Sequence, residues 1–426
     1  MEITIKPGNI NGTVTILPSK SHLHRLLIIA ALADRETFIR AGHTEAEDVE
    51  ATIACLHALG AEVARQRDGF AVTPLRACAK DGRVILPCRE SGSTLRFLVP
   101  VVCTLGVTGD FQMAGRLPER PMEFLEAELS RHGITFSRPA PDILRCEGKL
   151  TPGSYAVPGN ISSQYITGLM LALPLLGGDS VLTVSEPVES ENYIDMTIDA
   201  AAVFGRKPEV LGGYQYKIRG VGGFAGPGEV MAEGDWSNAA FWLCAGAMPG
   251  GNVTCRGLNP NSLQGDKEVC GILERMGAKI SWNGDAVTVT EGVRRGVEID
   301  AAAIPDIIPV ISAVAAVSDG TTLIRNASRL RLKESDRLKS TASVLNSLGA
   351  KVSELPDGLR IDGVPCLSGG TADSWGDHRI AMMAAIASSA CRSPVTITGA
   401  EAVNKSYPDF FDRLADLGKP AKEARG

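Results

Sequence analysis

The length of 426 residues exceeds what one hydrophobic core usually holds, so two or more domains are expected. A composition of 44% hydrophobic and 22% charged residues is typical of a soluble globular protein. The net charge of −6 argues against a nucleic-acid partner or a polyphosphate-coating role. Any anionic ligand must therefore be held by cations that the fold gathers locally.

The first residues, MEITIKPGNINGTV, lack the apolar segment of a secretory signal. Apolar stretches such as residues 166–178 and 239–251 are interrupted by Pro and Gly well short of the ~20 apolar residues of a membrane span. The ten cysteines are scattered, and no two stand three residues apart, so neither a CxxC redox pair nor a zinc finger is indicated. We therefore expect a cytoplasmic protein without a membrane partner or a metal site.

A short phrase recurs along the chain, and each copy ends an amphipathic run: LHALGAEV, LSRHGITF, AAVFGRKP, LERMGAKI, LNSLGAKV and LADLGKP. Its glycines stand at positions 60, 133, 205, 277, 349 and 418, which are separated by 73, 72, 72, 72 and 69 residues. A glycine at this place is typical of a left-handed helix C-cap. The spacing therefore predicts six helices that end at these glycines.

A second series of more uniformly apolar segments precedes these helices, and its members begin near Ser21, Ser91, Ser162, Asp235, Pro305 and Asp377. Each opens on a helix N-terminal signal, and short β-like segments lie between the helices. The pattern predicts six copies of a unit with two helices and several short strands. A long solenoid is the alternative, but a period of ~72 residues exceeds the usual 20–50. Two domains of three units are favoured, with the boundary in the glycine-rich residues 220–229.

Eight cations lie near the predicted helix starts, at equivalent places in the repeats: Lys20, Arg25, Arg96, Arg120, Lys333, Arg337, Arg379 and Lys405. Each alone has a simpler explanation as a solvated surface charge, and so has the charge run RLRLKESDRLK at residues 329–339. A helix N-terminus favours anions, however, and Ser, Lys and Arg beside it complete a phosphate or carboxylate site. Their recurrence indicates convergence on a strongly anionic ligand. Within the charge run we expect Lys333, Glu334 and Arg337 to form one turn of a helix start.

The motifs SKSHLHR, SGSTLRF, ERPM, SSQY, YIDMT, IPD, LRLKESDRL, GDHRIAM and NKSYPDFF resemble, in order and spacing, those of the 5-enolpyruvylshikimate-3-phosphate (EPSP) synthase family, the 3-phosphoshikimate 1-carboxyvinyltransferases. The resemblance extends from Lys20 to about Leu414. It implies an α/β (α+β) fold, a two-domain inside-out α/β barrel of the enolpyruvyl-transferase and RNA-cyclase type with six repeated βαβαββ-type units, three per domain. It also implies one domain of residues 1–17 plus 233–426, a second of residues 18–232, and an active site in the cleft between them.

The chemistry that the resemblance implies is transfer of the carboxyvinyl group of phosphoenolpyruvate to the 5-hydroxyl of shikimate 3-phosphate, with release of phosphate. This is a step of the shikimate pathway toward chorismate and the aromatic amino acids. Addition followed by elimination through a tetrahedral intermediate requires an acid, a base and fixed positive charge around the anions. The two small molecules are the expected partners of a monomer, and no metal or organic cofactor is expected.

Site residues follow from the resemblance position by position. The expected catalytic residues are Lys20, Asp306, Glu334 and His378, with Asp306 as the base for the 5-hydroxyl and Glu334, together with Lys20, acting at the methylene carbon. The residues expected to bind shikimate 3-phosphate are Lys20, Ser21, Arg25, Ser162, Ser163, Gln164, Tyr193, Asp306, Arg329 and Lys333. The residues expected to bind phosphoenolpyruvate are Lys20, Gly92, Arg120, Gln164, Arg337, Arg379 and Lys405.

The chain departs from the family pattern in three places. Glu90 stands where the family has an Asn beside the phosphoenolpyruvate pocket, and because it brings an acid near an anionic ligand, no binding role is assigned to it. Arg329 stands where an Asn commonly contacts shikimate 3-phosphate. The family's Ser-Asp-Asp is here Ala46-Glu47-Asp48, which keeps one Asp. These changes bear on affinity and on glyphosate sensitivity rather than on the class of reaction.

Two other functions compete with this one. The related enolpyruvyl transferase that acts on UDP-N-acetylglucosamine typically has a Lys-Asn pair near its start and a reactive loop cysteine, whereas here Lys20 precedes Ser21 and the loop AGRLPERP contains no cysteine. A non-catalytic relative that senses a sugar phosphate would not need the set Lys20, Asp306, Glu334 and Lys405. The transferase that acts on shikimate 3-phosphate is therefore favoured.

Overall fold

The structure of the chain is a computed structural model, and it describes residues 1–76 and 82–418. The chain divides into two compact units. The split unit comprises Met1–Leu17 and the chain from Glu233 onward, and the continuous unit is Pro18–Ala232. Residues 77–81 of one predicted domain and residues 419–426 of the other, including Lys419 and Pro420 of the last repeated phrase, lie outside the described residues.

In the described part of the chain the α-helices are α1 (Lys20–Ala31), α2 (Glu47–Leu59), α3 (Gly92–Leu105), α4 (Glu123–Arg131), α5 (Ser163–Ala172), α6 (Glu191–Val203), α7 (Trp236–Ala247), α8 (Val269–Arg275), α9 (Ile308–Ala316), α10 (Arg337–Ser347), α11 (His378–Ala387) and α12 (Phe410–Leu417). The strands are β1 (Glu2–Ile5), β2 (Asn11–Thr15), β3 (Thr37–Arg40), β4 (Glu62–Gln66), β5 (Gly69–Thr73), β6 (Arg83–Arg89), β7 (Thr108–Met113), β8 (Ile134–Ala140), β9 (Ile143–Gly148), β10 (Ser154–Pro158), β11 (Ser180–Ser185), β12 (Glu209–Gly212), β13 (Gln215–Ile218), β14 (Glu229–Met231), β15 (Asn252–Arg256), β16 (Lys279–Asn283), β17 (Ala286–Thr290), β18 (Glu298–Asp300), β19 (Thr321–Arg325), β20 (Lys351–Leu355), β21 (Gly358–Asp362), β22 (Gly370–Asp373) and β23 (Val395–Thr398).

One pattern, strand–helix–strand–helix–strand–strand, builds the sheets. The repeat that contains α3 and α4 orders its strands β6-β7-β9-β8, in which β6 and β7 are parallel and β8 and β9 form an antiparallel hairpin. The same order recurs in β10-β11-β13-β12 and in β18-β19-β21-β20. In these three repeats the buried first helix, α3, α5 or α9, connects the two parallel strands, because parallel neighbours need a long crossover connection.

Three repeats take a strand from a distant part of the chain. β14, at the end of the continuous unit, pairs in parallel with β3 and opens the repeat of α1 and α2. β2, near the N-terminus, pairs in parallel with β15 and opens the repeat of α7 and α8. β1 pairs antiparallel with β23 in the three-stranded sheet β1-β23-β22. The result is six repeats, three in each unit.

The first helix of each repeat is buried on nearly all sides. These helices are α1, α3 and α5 in the continuous unit, and α7, α9 and α11 in the split unit. A helix that is apolar all round must be enclosed by other elements. β6 and β15, which pack against α3 and α7, alternate buried residues with more exposed ones, so each of these strands has one face on the core and one toward solvent. The predicted α/β fold of six βαβαββ-type units is confirmed.

Side chains cap four of the apolar helices where the sequence predicts, at Ser91, Ser162, Asp235 and Asp377. The first helix begins slightly earlier than predicted, because Ser19 rather than Ser21 accepts the hydrogen bond from the backbone N–H of His22. A short polar side chain before an apolar run therefore located these helix starts to within two residues.

Two expectations about helix ends are wrong. Five of the six repeated glycines adopt the positive φ of a left-handed C-cap, at positions 60, 133, 205, 277 and 349, but Gly418 has a φ of −79°. The charge run differs as well, because Asp336 caps α10 by accepting from the backbone N–H of Lys339. The helix therefore begins at Arg337, and Lys333 and Glu334 lie in the bend before it rather than in its first turn.

Candidate active site

The start of α1 holds a lysine in an ion pair. Nζ of Lys20 lies 2.7 Å from Oδ2 of Asp48, the second residue of α2, and both side chains are mostly buried. Ser21 follows Lys20 in the same helical turn. Because α1 and α2 pack together, the pair fixes the ammonium group at the helix start. The one Asp that this chain keeps from the family's Ser-Asp-Asp is thus the counterion of a predicted catalytic lysine.

Arg25, one turn further along α1, is 2% exposed and connects three helices. It donates from Nε to Thr197 Oγ1 at 2.9 Å, from Nη2 to Thr167 Oγ1 at 3.1 Å and Tyr193 O at 3.0 Å, and from Nη1 to Ser21 O at 2.7 Å. Burial lowers the pKa of Arg25 to about 10. These hydroxyl and carbonyl oxygens satisfy the donors without neutralising the positive charge.

The start of α3 brings two arginines against a glycine. A Cβ placed on Gly92 would lie 2.8 Å from Nη1 of Arg120 and 2.9 Å from Nη1 of Arg96. Arg96 also donates to Oε1 of Gln164 at 2.8 Å, and Gln164 donates from Nε2 to Ser93 Oγ at 2.9 Å. The lack of a side chain at position 92 lets the two guanidiniums approach the first turn of α3. A helix N-terminus flanked by two guanidiniums is suited to bind an anion.

The starts of α5 and α6 carry the remaining predicted polar residues of the continuous unit. Ser162 caps α5, and Ser163 is its first residue; both are buried. The ring of Tyr193 in α6 lies 5.8 Å from Cζ of Arg25. Ser190, which directly precedes α6, was not predicted; it is buried and has a φ of 56°. A buried non-glycine residue in the left-handed region is uncommon and is typical of functional sites.

In the split unit, three carboxylates surround Arg337, which is 1% exposed. Its Nη1 lies 2.6 Å from Oδ1 of Asp306, its Nη2 lies 2.7 Å from Oε2 of Glu334, and its Nε lies 2.8 Å from Oδ2 of Asp377. Burial alone lowers the pKa of Arg337, but Asp377, Glu334 and Asp306 together raise it above its ordinary value. The structure thus brings the predicted base, the predicted methylene acid and a predicted phosphoenolpyruvate ligand into direct contact.

Asp306, just before α9, also faces Lys333, whose Nζ lies 3.6 Å from its Oδ1. Burial raises the pKa of Asp306, but Lys333, Arg379 and Arg337 outweigh it and hold that pKa well below its ordinary value. Burial lowers the pKa of Lys333 to about 8, opposed by Asp306 and assisted by Arg337 and by Arg329 of the 3₁₀ segment Ser328–Leu332. A carboxylate paired this strongly is a weak base until a bound anion pairs with the neighbouring cations in its place.

The start of α11 adds a third group of buried charges. Asp377 caps the helix while it pairs with Arg337, and Nδ1 of His378 lies 3.8 Å from Oδ1 of Asp377. Arg379 donates from Nη1 to the carbonyl of Ser237 at 3.2 Å. The pairing of Asp377 with Arg337 was not predicted, because the two residues are 40 positions apart in the chain.

Lys405 is held at the same helix start. It ends the 3₁₀ segment Ala400–Lys405, and its Nζ donates to the carbonyl of Gly376 at 2.8 Å. Trp375 and Gly376 both have positive φ, 55° and 63°, and form the turn directly before the cap of α11. Three predicted phosphoenolpyruvate ligands of the split unit, Arg337, Arg379 and Lys405, therefore all lie at or beside the starts of α10 and α11.

Two buried ionisable groups near these clusters were not predicted. Nδ1 of His24 lies 2.7 Å from Thr52 Oγ1, which lies 2.7 Å from Thr94 Oγ1, so that a hydrogen-bonded chain joins α1, α2 and α3. Burial, assisted by Lys20 and Arg25, lowers the pKa of His24 well below its ordinary value. The second group is Asp266, in the 3₁₀ segment Gly265–Glu268. Its short polar segment has no hydrophobic periodicity that would have marked it as buried.

The described residues contain no group of three or more His, Cys, Asp or Glu side chains that could hold a metal ion. Within residues 1–76 and 82–418, no helix combines the length and the apolar character needed to cross a membrane. The clusters consist of cations beside carboxylates, hydroxyls and helix starts. Such groups bind anions, transfer protons and stabilise developing negative charge.

Comparisons with known proteins agree with this chemistry. The family profile described as EPSP synthase (3-phosphoshikimate 1-carboxyvinyltransferase) matches residues 5–414. A 3-phosphoshikimate 1-carboxyvinyltransferase of Clostridium acetobutylicum is 42% identical over 426 residues, which cover 99% of this chain and 98% of that protein. The solved EPSP synthase of Acinetobacter baumannii has a TM-score of 0.80 at 24% identity and 98% coverage of each chain. The enolpyruvyl transferase NikO of Streptomyces tendae has a TM-score of 0.80 at 21% identity, with 98% and 97% coverage.

Proposed function

The chain belongs to the EPSP synthase family, and from that premise we propose that it transfers the enolpyruvyl group of phosphoenolpyruvate to the 5-hydroxyl of shikimate 3-phosphate. The observation that supports this reaction best is the cluster around Arg337, whose guanidinium lies 2.6 Å from Asp306 and 2.7 Å from Glu334. Addition and elimination on an anionic substrate need a base and an acid beside fixed positive charge. This cluster supplies all three.

Phosphoenolpyruvate is the proposed ligand of seven residues at or near the starts of α1, α3, α4, α5, α10 and α11. The set is Lys20, Gly92, Arg120, Gln164, Arg337, Arg379 and Lys405. Support comes from the approach of Arg120 to Gly92 and from the contact of Lys405 with the turn before α11. Its phosphate and carboxylate suit a site with several guanidiniums, because that group binds both anions in a two-pronged geometry.

Shikimate 3-phosphate is the proposed ligand of Lys20, Ser21, Arg25, Ser162, Ser163, Gln164, Tyr193, Asp306, Arg329 and Lys333. The hydroxyl groups of Ser162 and Ser163, at the start of α5, can donate hydrogen bonds to its phosphate. Arg25 already donates to the carbonyls of Ser21 and Tyr193, so it positions these two ligands and adds uncompensated charge. Its direct contact with the substrate stays a prediction.

The proposed reaction starts when the substrate anions bind the cations that otherwise pair with Asp306. The pKa of Asp306 then rises from its depressed value, and the carboxylate accepts the proton of the 5-hydroxyl as the new C–O bond forms. Glu334, with Lys20, delivers a proton to the methylene carbon and later removes one as the bond to phosphate breaks. His378, beside the cap Asp377, stays a catalytic candidate.

Phosphate release on mixing the purified protein with both substrates, each omitted in turn, tests the proposed function. Release only when both are present is the expected result. UDP-N-acetylglucosamine in place of shikimate 3-phosphate is the control acceptor. Release with the nucleotide sugar and none with shikimate 3-phosphate would overturn the proposal.

We further propose that the enzyme is a cytoplasmic monomer with no nucleic-acid partner, whose domains are residues 1–17 plus 233–426 and residues 18–232. The scattered cysteines and the net charge of −6 support the compartment and the lack of a nucleic-acid partner. Light scattering during size exclusion tests the oligomeric state, and the mass expected for a monomer is 44.9 kDa.

A further inference from the structure

Asp266 is a buried carboxyl group that the proposed reaction does not use. It is 2% exposed and accepts a hydrogen bond from the hydroxyl of Ser237, in the first turn of α7. Ser237 is also buried, and its carbonyl accepts the hydrogen bond from Nη1 of Arg379 at 3.2 Å. Asp266, Ser237 and Arg379 therefore form one continuous buried chain of contacts.

Arg379 lies at the end of this chain of contacts, and its guanidinium has a hydrogen-bond donor that no described residue accepts. It is 4% exposed, and its Nε has no hydrogen-bond partner among the described residues. The ring of Phe241 lies 5.8 Å from its Cζ. A buried donor without an acceptor costs free energy, so such a group is retained where a ligand supplies the acceptor. The Ser237 carbonyl and the Phe241 ring hold the guanidinium in place for that ligand.

The charges that act on Asp266 come from three neighbouring elements. Burial has the largest effect and raises its pKa; Asp306 before α9 and Asp235 at the start of α7 raise it further, and Arg379 and the Ser237 hydroxyl oppose them. The net result is a pKa of about 7. A buried carboxylate destabilises the fold when it is ionised, and an apolar or amide side chain would serve a purely structural role better.

We propose that Asp266 is a positioning residue for phosphoenolpyruvate: through Ser237 it holds the guanidinium of Arg379 in the orientation that receives an anionic group of that substrate. The inference rests on the proposed function, which assigns Arg379 to phosphoenolpyruvate. The ionised form of Asp266 binds the Ser237 hydroxyl most strongly, because hydrogen bonds to charged acceptors are about twice as strong as neutral ones.

The test compares Asp266→Asn with Glu268→Gln. The first keeps the shape of the side chain and removes its charge, and the second removes a half-exposed carboxylate, paired with Arg275, from the same 3₁₀ segment. At pH 8 we expect KM for phosphoenolpyruvate to rise roughly tenfold in Asp266→Asn, with KM for shikimate 3-phosphate within about twofold of wild type. At pH 6, where Asp266 is protonated in the wild type, the difference shrinks to about twofold. Glu268→Gln behaves as wild type throughout.

A merely structural role predicts different results. It would raise KM for both substrates equally at both pH values and lower the melting temperature, and this outcome, like an unchanged KM for phosphoenolpyruvate, would overturn the proposal. Ser237→Ala removes the hydroxyl but keeps the carbonyl, and it should reproduce the rise for phosphoenolpyruvate alone if the chain of contacts is real. An unchanged KM in Ser237→Ala counts against the proposal.

Calorimetric binding of inorganic phosphate separates this inference from the proposed function. If the wild-type protein releases no phosphate with the two substrates, the proposed function fails. Weaker phosphate binding by Asp266→Asn than by Glu268→Gln would then still support the positioning of Arg379. Equal phosphate binding by the two variants would overturn the positioning role whether or not the enzyme turns over.

Discussion

Arg25 in the continuous unit and Arg337 in the split unit are equally buried, at 2% and 1% exposure, but their donors are satisfied in opposite ways. Arg25 donates to hydroxyl and carbonyl oxygens, among them Thr197 Oγ1 and Tyr193 O. Arg337 is held by three carboxylates. The pKa of Arg25 is accordingly lowered by burial to about 10, whereas that of Arg337 is raised above its ordinary value.

The difference separates two uses of a buried cation. Neutral acceptors fix the position of Arg25 and leave its charge uncompensated, so it attracts an anion without any rearrangement. The carboxylates around Arg337 neutralise it, so a substrate anion must replace them, and the replaced groups become available as acid and base. Under the proposed function, anion binding in the split unit is therefore coupled to proton transfer, and anion binding in the continuous unit is not.

The largest expected effect comes from removing the acid–base group of the split unit. Glu334→Gln should lower kcat by about 10²–10⁴-fold, because a positioned acid or base contributes that much, while KM for each substrate stays within about threefold. Steady-state kinetics with both substrates measure it. Glu298→Gln, which removes an exposed carboxylate paired with Arg325 in the same unit, is the control. An equal loss of substrate affinity and turnover would mean that Glu334 only binds substrate. The contrast between an acid–base cluster around Arg337 and a neutral network around Arg25 would then fail.

Removal of one counterion should affect stability. Asp377→Asn leaves Arg337 with less compensation for its buried charge, and breaking such a pair costs about 3–5 kcal/mol of the free energy of unfolding. Thr167→Val removes one neutral acceptor of Arg25 and should cost less, about 1–3 kcal/mol. Denaturant titrations of the two variants test the order. A larger loss in Thr167→Val would show that the neutral acceptors matter more than the carboxylates.

A smaller effect is expected where a side chain is added beside the cations of the continuous unit. Gly92→Ala places a Cβ within 3 Å of Arg120 and Arg96, so both guanidiniums must shift. We expect KM for phosphoenolpyruvate to rise roughly tenfold, the loss of about one charged hydrogen bond, with little change in melting temperature because side-chain ends can move. Gly177→Ala, at a position with no atom within 4 Å of the added Cβ, is the matched control. Equal kinetics of the two variants would contradict the role of position 92.

The smallest effect concerns the neutral network of the continuous unit. Because the folded pKa of His24 lies below its unfolded value, the unfolded chain binds the proton more readily, and stability falls as pH drops below about 6.5. Below about pH 6.5, the free energy of unfolding of the wild type should fall by up to about 1.4 kcal/mol more per pH unit than that of His24→Asn. Melting temperatures at pH 7.5 and 5.5 measure the slope. His43→Asn, at a position 73% exposed, is the control, and an unchanged slope in His24→Asn would show that His24 is not buried in its neutral form.

Local signals were sufficient for most of the fold. Helix caps such as Ser91 and Asp235 act on residues two or three positions away, and the period of ~72 residues repeats the same local pattern, so both can be read from the sequence. The start of α10 was placed too early because the cap is Asp336, whose carboxylate accepts from the backbone N–H of Lys339, so Lys333 and Glu334 precede the helix.

The partners of the buried charges could not be predicted. Arg25 and Thr197 are 172 residues apart, and Arg337 and Asp377 are 40 residues apart. The oxygen atoms that contact each guanidinium are determined by how whole helices pack. A short sequence motif does not specify that packing. The resemblance to a family supplied the proposed anion-binding residues, but it did not reveal that neutral groups hold Arg25 and carboxylates hold Arg337.

The strand exchange has a consequence for the order in which the protein can assemble during synthesis. β1 leaves the ribosome first, yet its partner β23 follows about 390 residues later, which takes roughly 20 to 80 seconds at 5–20 residues per second. The continuous unit is complete once β14 has emerged, whereas the split unit still lacks every strand that pairs with β1 and β2. The two N-terminal strands therefore spend most of translation with unpaired edges, and the unit whose first strands are made earliest is the last to be completed.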